Sequence, residues 1–142
     1  MDSVNRFHTR ETWLWVRAEH LLLLAILIGL ALWHVREIHW GWFLLSFAGL
    51  DLVGYIPGTI AYRRANGGKI PAIYHHLYNI THSYVTAAAM LGLWAWALDG
   101  WEWAMLGIPI HLSGDRGLFG NTYKPTSLPF EPVPAPTPKE AA

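Results

Sequence analysis

The sequence predicts an all-α protein: an integral membrane four-helix bundle with both termini in the cytoplasm. Three observations carry that expectation. Hydrophobic residues make up 53% of the 142 positions and charged residues only 14%, against roughly 25% charged in ordinary soluble domains. Four apolar segments follow one another at close to membrane-spanning length. Almost all the Lys and Arg residues fall in alternate connections between them. The nine tryptophans point the same way, because a domain this small buries a limited share of its surface and needs another place for so much apolar area.

The first apolar segment covers residues 21–35, led in by an amphipathic turn at 13–16. The second runs over 40–62. The third starts near Pro71, since proline is favoured at a first helical position, and stops before Asp99 and Gly100. The fourth opens at Trp101 and is clearly apolar only to Leu112, with a kink expected at Pro109. A spanning helix takes about 20 residues, so the second and third suffice and the first suffices with its flank. The fourth crosses only if residues 111–119 continue at membrane depth; otherwise it is short or re-entrant. No internal repeat is present. From Pro125 onward the chain is proline-rich and poor in bulky apolar residues, the composition of an extended, disordered tail. The expected organisation is an N-terminal cytoplasmic arm over 1–19, a four-span domain over 20–120 and a cytoplasmic tail over 121–142. The N-terminus is too polar and acidic for a cleaved signal peptide, so insertion relies on the first span.

Orientation follows from the basic residues. Arg6, Arg10 and Arg17 precede the first span; Arg63, Arg64 and Lys69 lie between the second and third; Arg116, Lys124 and Lys139 follow the fourth. Only Arg36 falls in the other two connections. The positive-inside rule then puts both termini and the middle loop in the cytoplasm. Trp33, Trp40, Trp42, Trp94, Trp96, Trp101 and Trp103 gather at the opposite ends of the spans, as an aromatic belt does. The absence of cysteine excludes disulfides, thiolate metal sites and cysteine nucleophiles. Zero formal charge gives no reason to expect nucleic acid as a partner.

Depth singles out the candidate site. Asp51 lies halfway along the second span, with Tyr55 one turn on. His75, Asn79 and His82 share a face of the third by i, i+4, i+7 spacing, and His111 and Asp115 form an i, i+4 pair late in the fourth. A carboxylate near mid-bilayer costs about 2.5–3.5 kcal/mol on insertion scales, so an idle one is rarely kept. Imidazole and carboxylate at such spacings are the ligands of zinc, iron or manganese in helix bundles. The expected metal ligands are His75, His76, His82, His111 and Asp115. Asp51 is expected as a ligand or general base, and Arg116 as the holder of a substrate anion. The plainer alternatives are an Asp51–Arg116 pair pinning two spans together, and wetted interfacial roles for His75 and His76. Around His111 to Lys124 a glycine-dotted helix end with basic residues is suited either to an anionic headgroup or to plain helix termination.

Asp51 with Tyr55, Tyr78 with Asn79 and His82, and Ile110-His111, Asp115-Arg116, Gly120 and Lys124 together resemble a bacterial family of short four-span membrane proteins, the domain of unknown function numbered 4260. The resemblance covers roughly residues 20–125 and implies a four-helix inner-membrane protein with no established activity. Thr81-His82-Ser83, preceded by His76, is similar to a stretch of membrane-bound metal-dependent hydrolases, which implies a metal in the polar layer. The leading expectation is a divalent-metal hydrolase acting on a lipid-like or anionic substrate. A proton or ion relay through Asp51, His82 and His111, and an accessory subunit of a homo-oligomer or larger membrane complex, are the other two.

Overall fold

The computed structural model describes residues 9–131, which are helical with no strand among them. Arg6 and Lys139, with the rest of 1–8 and 132–142, lie outside the described residues. The first helix, α1, is Arg10–Trp33. It starts earlier than the sequence suggests and takes in much of the expected N-terminal arm. The reason is local: Thr9 and Thr12 form a reciprocal capping box, each side chain meeting the other's backbone N–H, which satisfies two otherwise orphaned donors.

The second apolar segment is α2 (Trp40–Val53) and α3 (Ile56–Arg64), two pieces of one 25-residue apolar rod. Pro57 breaks it, because proline has no N–H to donate to the Val53 carbonyl. The third apolar segment is likewise double, α4 (Ala72–Thr81) and α5 (Tyr84–Ala97). Ser83 restarts it by accepting the Val85 N–H at 3.2 Å. The fourth begins as a 3₁₀ turn, Trp103–Leu106, capped by Glu102 on the Ala104 N–H. It continues as α6 (Gly107–Gly114) and ends in a π turn, Asp115–Phe119.

The short fourth segment is the centre of the molecule. Ala104 to Ile108 and His111 to Ser113 are buried, and α6 packs on α1, α2 and α5. Two apolar clusters seat it: Leu27, Ala31, Ile38 and Leu106 toward the tryptophan end, and Leu50, Ala87, Ile108 and Leu112 in the middle. Close crossing with α2 depends on Gly107, where a Cβ would fall onto Ser46 Oγ and 2.7 Å from the Phe43 carbonyl oxygen. The outer helices invert the usual pattern. Leu22, Leu32, Leu44, Leu45, Leu52 and Val53 are all exposed.

The tail departs from its expected disorder over its described part. Phe130 is buried against Tyr55, Tyr78, His75 and Gly58. Asn79 grips Lys124 through both backbone groups, at 2.7 and 3.0 Å. The Lys124 ammonium donates to the Phe130 carbonyl and lies over the Tyr55, Tyr78 and Phe130 rings. Burial pushes that ammonium below its usual value, against the opposing pull of Glu131 and Asp115. One aromatic side chain and one clamped backbone outweigh the extended bias of the prolines.

Candidate metal centre

Three of the four residues of the polar layer sit at irregularities of the helices. Asp51 lies one turn before the break between α2 and α3. His82 is the C-cap of α4, and Asp115 opens the π turn. His111 is on α6, one turn before Asp115. The two breaks lie side by side, because Gly54 packs directly on Thr81; a Cβ there would overlap Thr81 Oγ1. π turns are frequent at functional sites.

The side chains converge on one point. His82 Nε2 is 3.4 Å from His111 Nε2. Asp51 Oδ1 lies 3.3 Å from His82 Nε2 and 3.6 Å from His111 Nε2. Asp115 Oδ2 lies 3.5 Å and 3.7 Å from the same two nitrogens. Ligand bonds of about 2.0–2.1 Å require ligand atoms about 3.3–3.4 Å apart in a tetrahedron. The five separations fall at that spacing or a few tenths above it. Asp51, His82 and His111 form the group of three whose ligand atoms can hold a metal ion, and Asp115 faces both imidazoles from the fourth segment.

The orientation of His82 is fixed from behind. Its Nδ1 donates to the Tyr78 carbonyl at 3.0 Å, which leaves the Nε2 lone pair facing the centre; a backbone acceptor behind the ring is the usual support of a metal-bound imidazole. Tyr78 also stacks on the ring at 4.0 Å. His111 is held edge-on by Phe47 at 4.9 Å. The histidine side chains are 4% and 5% exposed, Asp115 18% and Asp51 41%. The centre is therefore sealed around its nitrogens and open on the Asp51 side. A bare imidazole lone pair facing two carboxylate oxygens and a second imidazole is repulsive unless a cation or a proton lies among them.

The other sequence-predicted site residues lie apart from this quartet. His75 Nε2 is 3.2 Å from the Leu128 carbonyl, and His76 is exposed. Arg116 does not pair with Asp51. It donates to the His82 carbonyl at 3.1 Å, filling the acceptor freed by the break in the third segment, and stacks over Tyr84 at 4.4 Å. Sequence reasoning missed the supporting role of Tyr78, and it missed a second polar group at the tryptophan end. There His39 pairs with Glu102 at 3.1 Å and His34 with Glu37 at 3.0 Å. Trp103 donates to Glu37 and stacks on His34.

Comparison with known proteins adds no relative: no family model, curated protein or solved structure matches this chain.

Proposed function

We propose that this chain is a multi-pass inner-membrane protein whose quartet of Asp51, His82, His111 and Asp115 binds one divalent metal ion, zinc, iron or manganese, and hydrolyses a lipid-like substrate. The observation that carries the reading is the convergence of ligand atoms from Asp51, His82 and His111, on three helical segments, at a spacing suited to a metal, with Asp115 facing both imidazoles.

The exterior supports insertion. Two helices, Arg10–Trp33 and Trp40–Arg64, are long and apolar enough to cross a bilayer, yet only 17% of the residues in the most apolar stretch of each are buried. The core helix of a soluble protein would hide that surface, and large exposed apolar areas mark contact with a partner or a membrane. The one-sided basic residues support cytoplasmic termini.

A divalent ion held in this way supplies a nucleophilic water near neutral pH. The protein's own groups supply the remainder. Asp51, the most exposed of the four, is placed to take a proton from an attacking water, while Asp115 and the two imidazoles hold the centre. Asp51, with 41% of its side chain exposed, is the open side of the centre, from which a lipid-like substrate would arrive. The apolar clusters between the quartet and the tryptophan end offer no titratable chain for a relay across the bundle.

Metal analysis of the full-length protein in detergent tests the proposal. One equivalent of zinc, iron or manganese per chain is expected in the wild type and none in His82→Ala. No metal in either protein, or the same amount in both, removes it.

A further inference from the structure

Asp51 and His82, two members of the quartet, stand close to the junction where Gly54 packs on Thr81. One helical turn from each is a tyrosine. Tyr55 donates its backbone N–H to the Asp51 carbonyl at 3.0 Å. Tyr78 is tied to His82 three ways: its carbonyl accepts from the His82 backbone N–H at 2.9 Å and from Nδ1 at 3.0 Å, and its ring lies on the imidazole at 4.0 Å. The α4 ladder ends at His82, so the orientation of its ring depends on Tyr78 and on the Thr81 hydroxyl, 2.9 Å from Nδ1.

The two tyrosines meet one another at 6.4 Å, and each meets the Phe130 ring at 6.1 Å. The contact is dry on the Tyr78 side, where Tyr78 is 3% and Phe130 1% exposed. The seat fits the ring closely: a Cβ on Gly58 would overlap it, and His75 closes it edge-on at 5.3 Å. The backbone around Phe130 is anchored separately. His75 holds the Leu128 carbonyl, the Lys124 ammonium holds the Phe130 carbonyl, and Thr59 holds the Glu131 carboxylate. One side chain of the tail therefore bears on the residue behind each of two quartet members. Close-packed interiors transmit displacement, and a void left by a lost ring is only partly filled by relaxation.

We infer that Phe130 is a positioning residue of the metal centre, packed on Tyr55 and Tyr78 so that Asp51 Oδ1 and His82 Nε2 are held at their ligand spacing. This rests on the metal reading above. It makes the affinity of the centre depend on a tail residue that lies outside every apolar segment and touches no quartet side chain directly.

Titration of the full-length protein in detergent with zinc and with cobalt(II) tests it, the visible absorption of bound cobalt(II) reporting ligand geometry at saturation. Phe130→Ala removes the ring. Gly58→Ala evicts it while leaving Phe130 and the quartet unchanged. Each is expected to weaken binding about tenfold and to shift the cobalt bands. The double variant is expected to lose no more than the worse single one, because both remove the same contact. Leu27→Ala opens the apolar cluster at the tryptophan end and is expected to keep the wild-type affinity and spectrum. If Phe130→Ala does not fold, Gly58→Ala decides. Wild-type affinity with unshifted bands in either folded variant, additive losses in the double variant, or the same losses in Leu27→Ala overturn the proposal. Wild-type protein that binds neither ion removes the metal reading together with this one, whereas binding untouched by the substitutions removes this inference alone.

Discussion

The two ends of this bundle use nearly the same polar inventory to opposite effect. At the tryptophan end, two histidines and two glutamates form separate one-to-one pairs, His34 with Glu37 and His39 with Glu102. The His39 side chain is 74% exposed; its pair with Glu102 ties two connections together, whereas His34–Glu37 lies within one turn. At the other end, two histidines and two aspartates share one centre, and each imidazole nitrogen faces both carboxylates and the other ring. Pairing at an exposed loop is worth little, about 0–1 kcal/mol. Convergence around two buried imidazoles makes the arrangement repulsive unless a cation or a proton lies among the groups. Residue composition does not distinguish the ends; side-chain length and the backbone carrying it do. Glutamates on loops can reach a partner singly, whereas short aspartates on crossing helices are held where the helices meet.

The largest effect expected from breaking this contrast is on metal affinity. Asp51→Asn and Asp115→Asn should each weaken it by at least about a hundredfold in a chelator competition titration, since loss of a supporting group alone typically costs 10–100-fold. His34→Ala/His39→Ala at the other end should leave the affinity unchanged. A matching loss there would show that the ends are coupled and that the quartet is not a local site.

A smaller effect tests whether helix crossing, not ligand chemistry alone, makes the centre. Gly54→Ala puts a methyl group onto Thr81, prises α2 from α4 and should lower metal affinity by about tenfold or more without removing a ligand. Gly49→Ala on the same helix, where an added Cβ meets nothing within 4 Å, is the control and should bind like the wild type. The smallest effect is expected from Glu102→Gln. It weakens the pair to His39 and the cap on Ala104, so thermal unfolding in detergent should register a loss below about 1 kcal/mol, with metal affinity unaltered.

Much of the fold was legible in the sequence. The apolar segments follow from local composition; the break before Pro57, where proline has no N–H for the Val53 carbonyl, and the one at His82 and Ser83 were not read from it, and α6 continues through Pro109. Asp51, His82, His111 and Asp115 stood out because ionisable groups inside apolar runs are expensive. His75 was grouped with His82 by i, i+7 spacing. That spacing predicts a shared face but not what covers each end of it; the tail covers His75, through Leu128 and Phe130. The described part of the tail, 125–131, packs on the helices through Phe130 despite its prolines, and that phenylalanine was the available signal. Arg116 was assigned to an anion because its real partner, the His82 carbonyl, exists only where the third segment breaks.

The chain alone determined that it would be helical, apolar on its outside, basic at one end and rich in tryptophan at the other. These properties are sums over neighbouring residues, and periodicity and composition record them. Only the tertiary structure decided that Asp51, His82 and His111, from three helical segments, bring their ligand atoms to separations that could hold a metal ion. Such distances depend on how α2, α4 and α6 cross, and the crossings are set by contacts between residues far apart in sequence, such as Gly54 with Thr81 and Gly107 with Ser46.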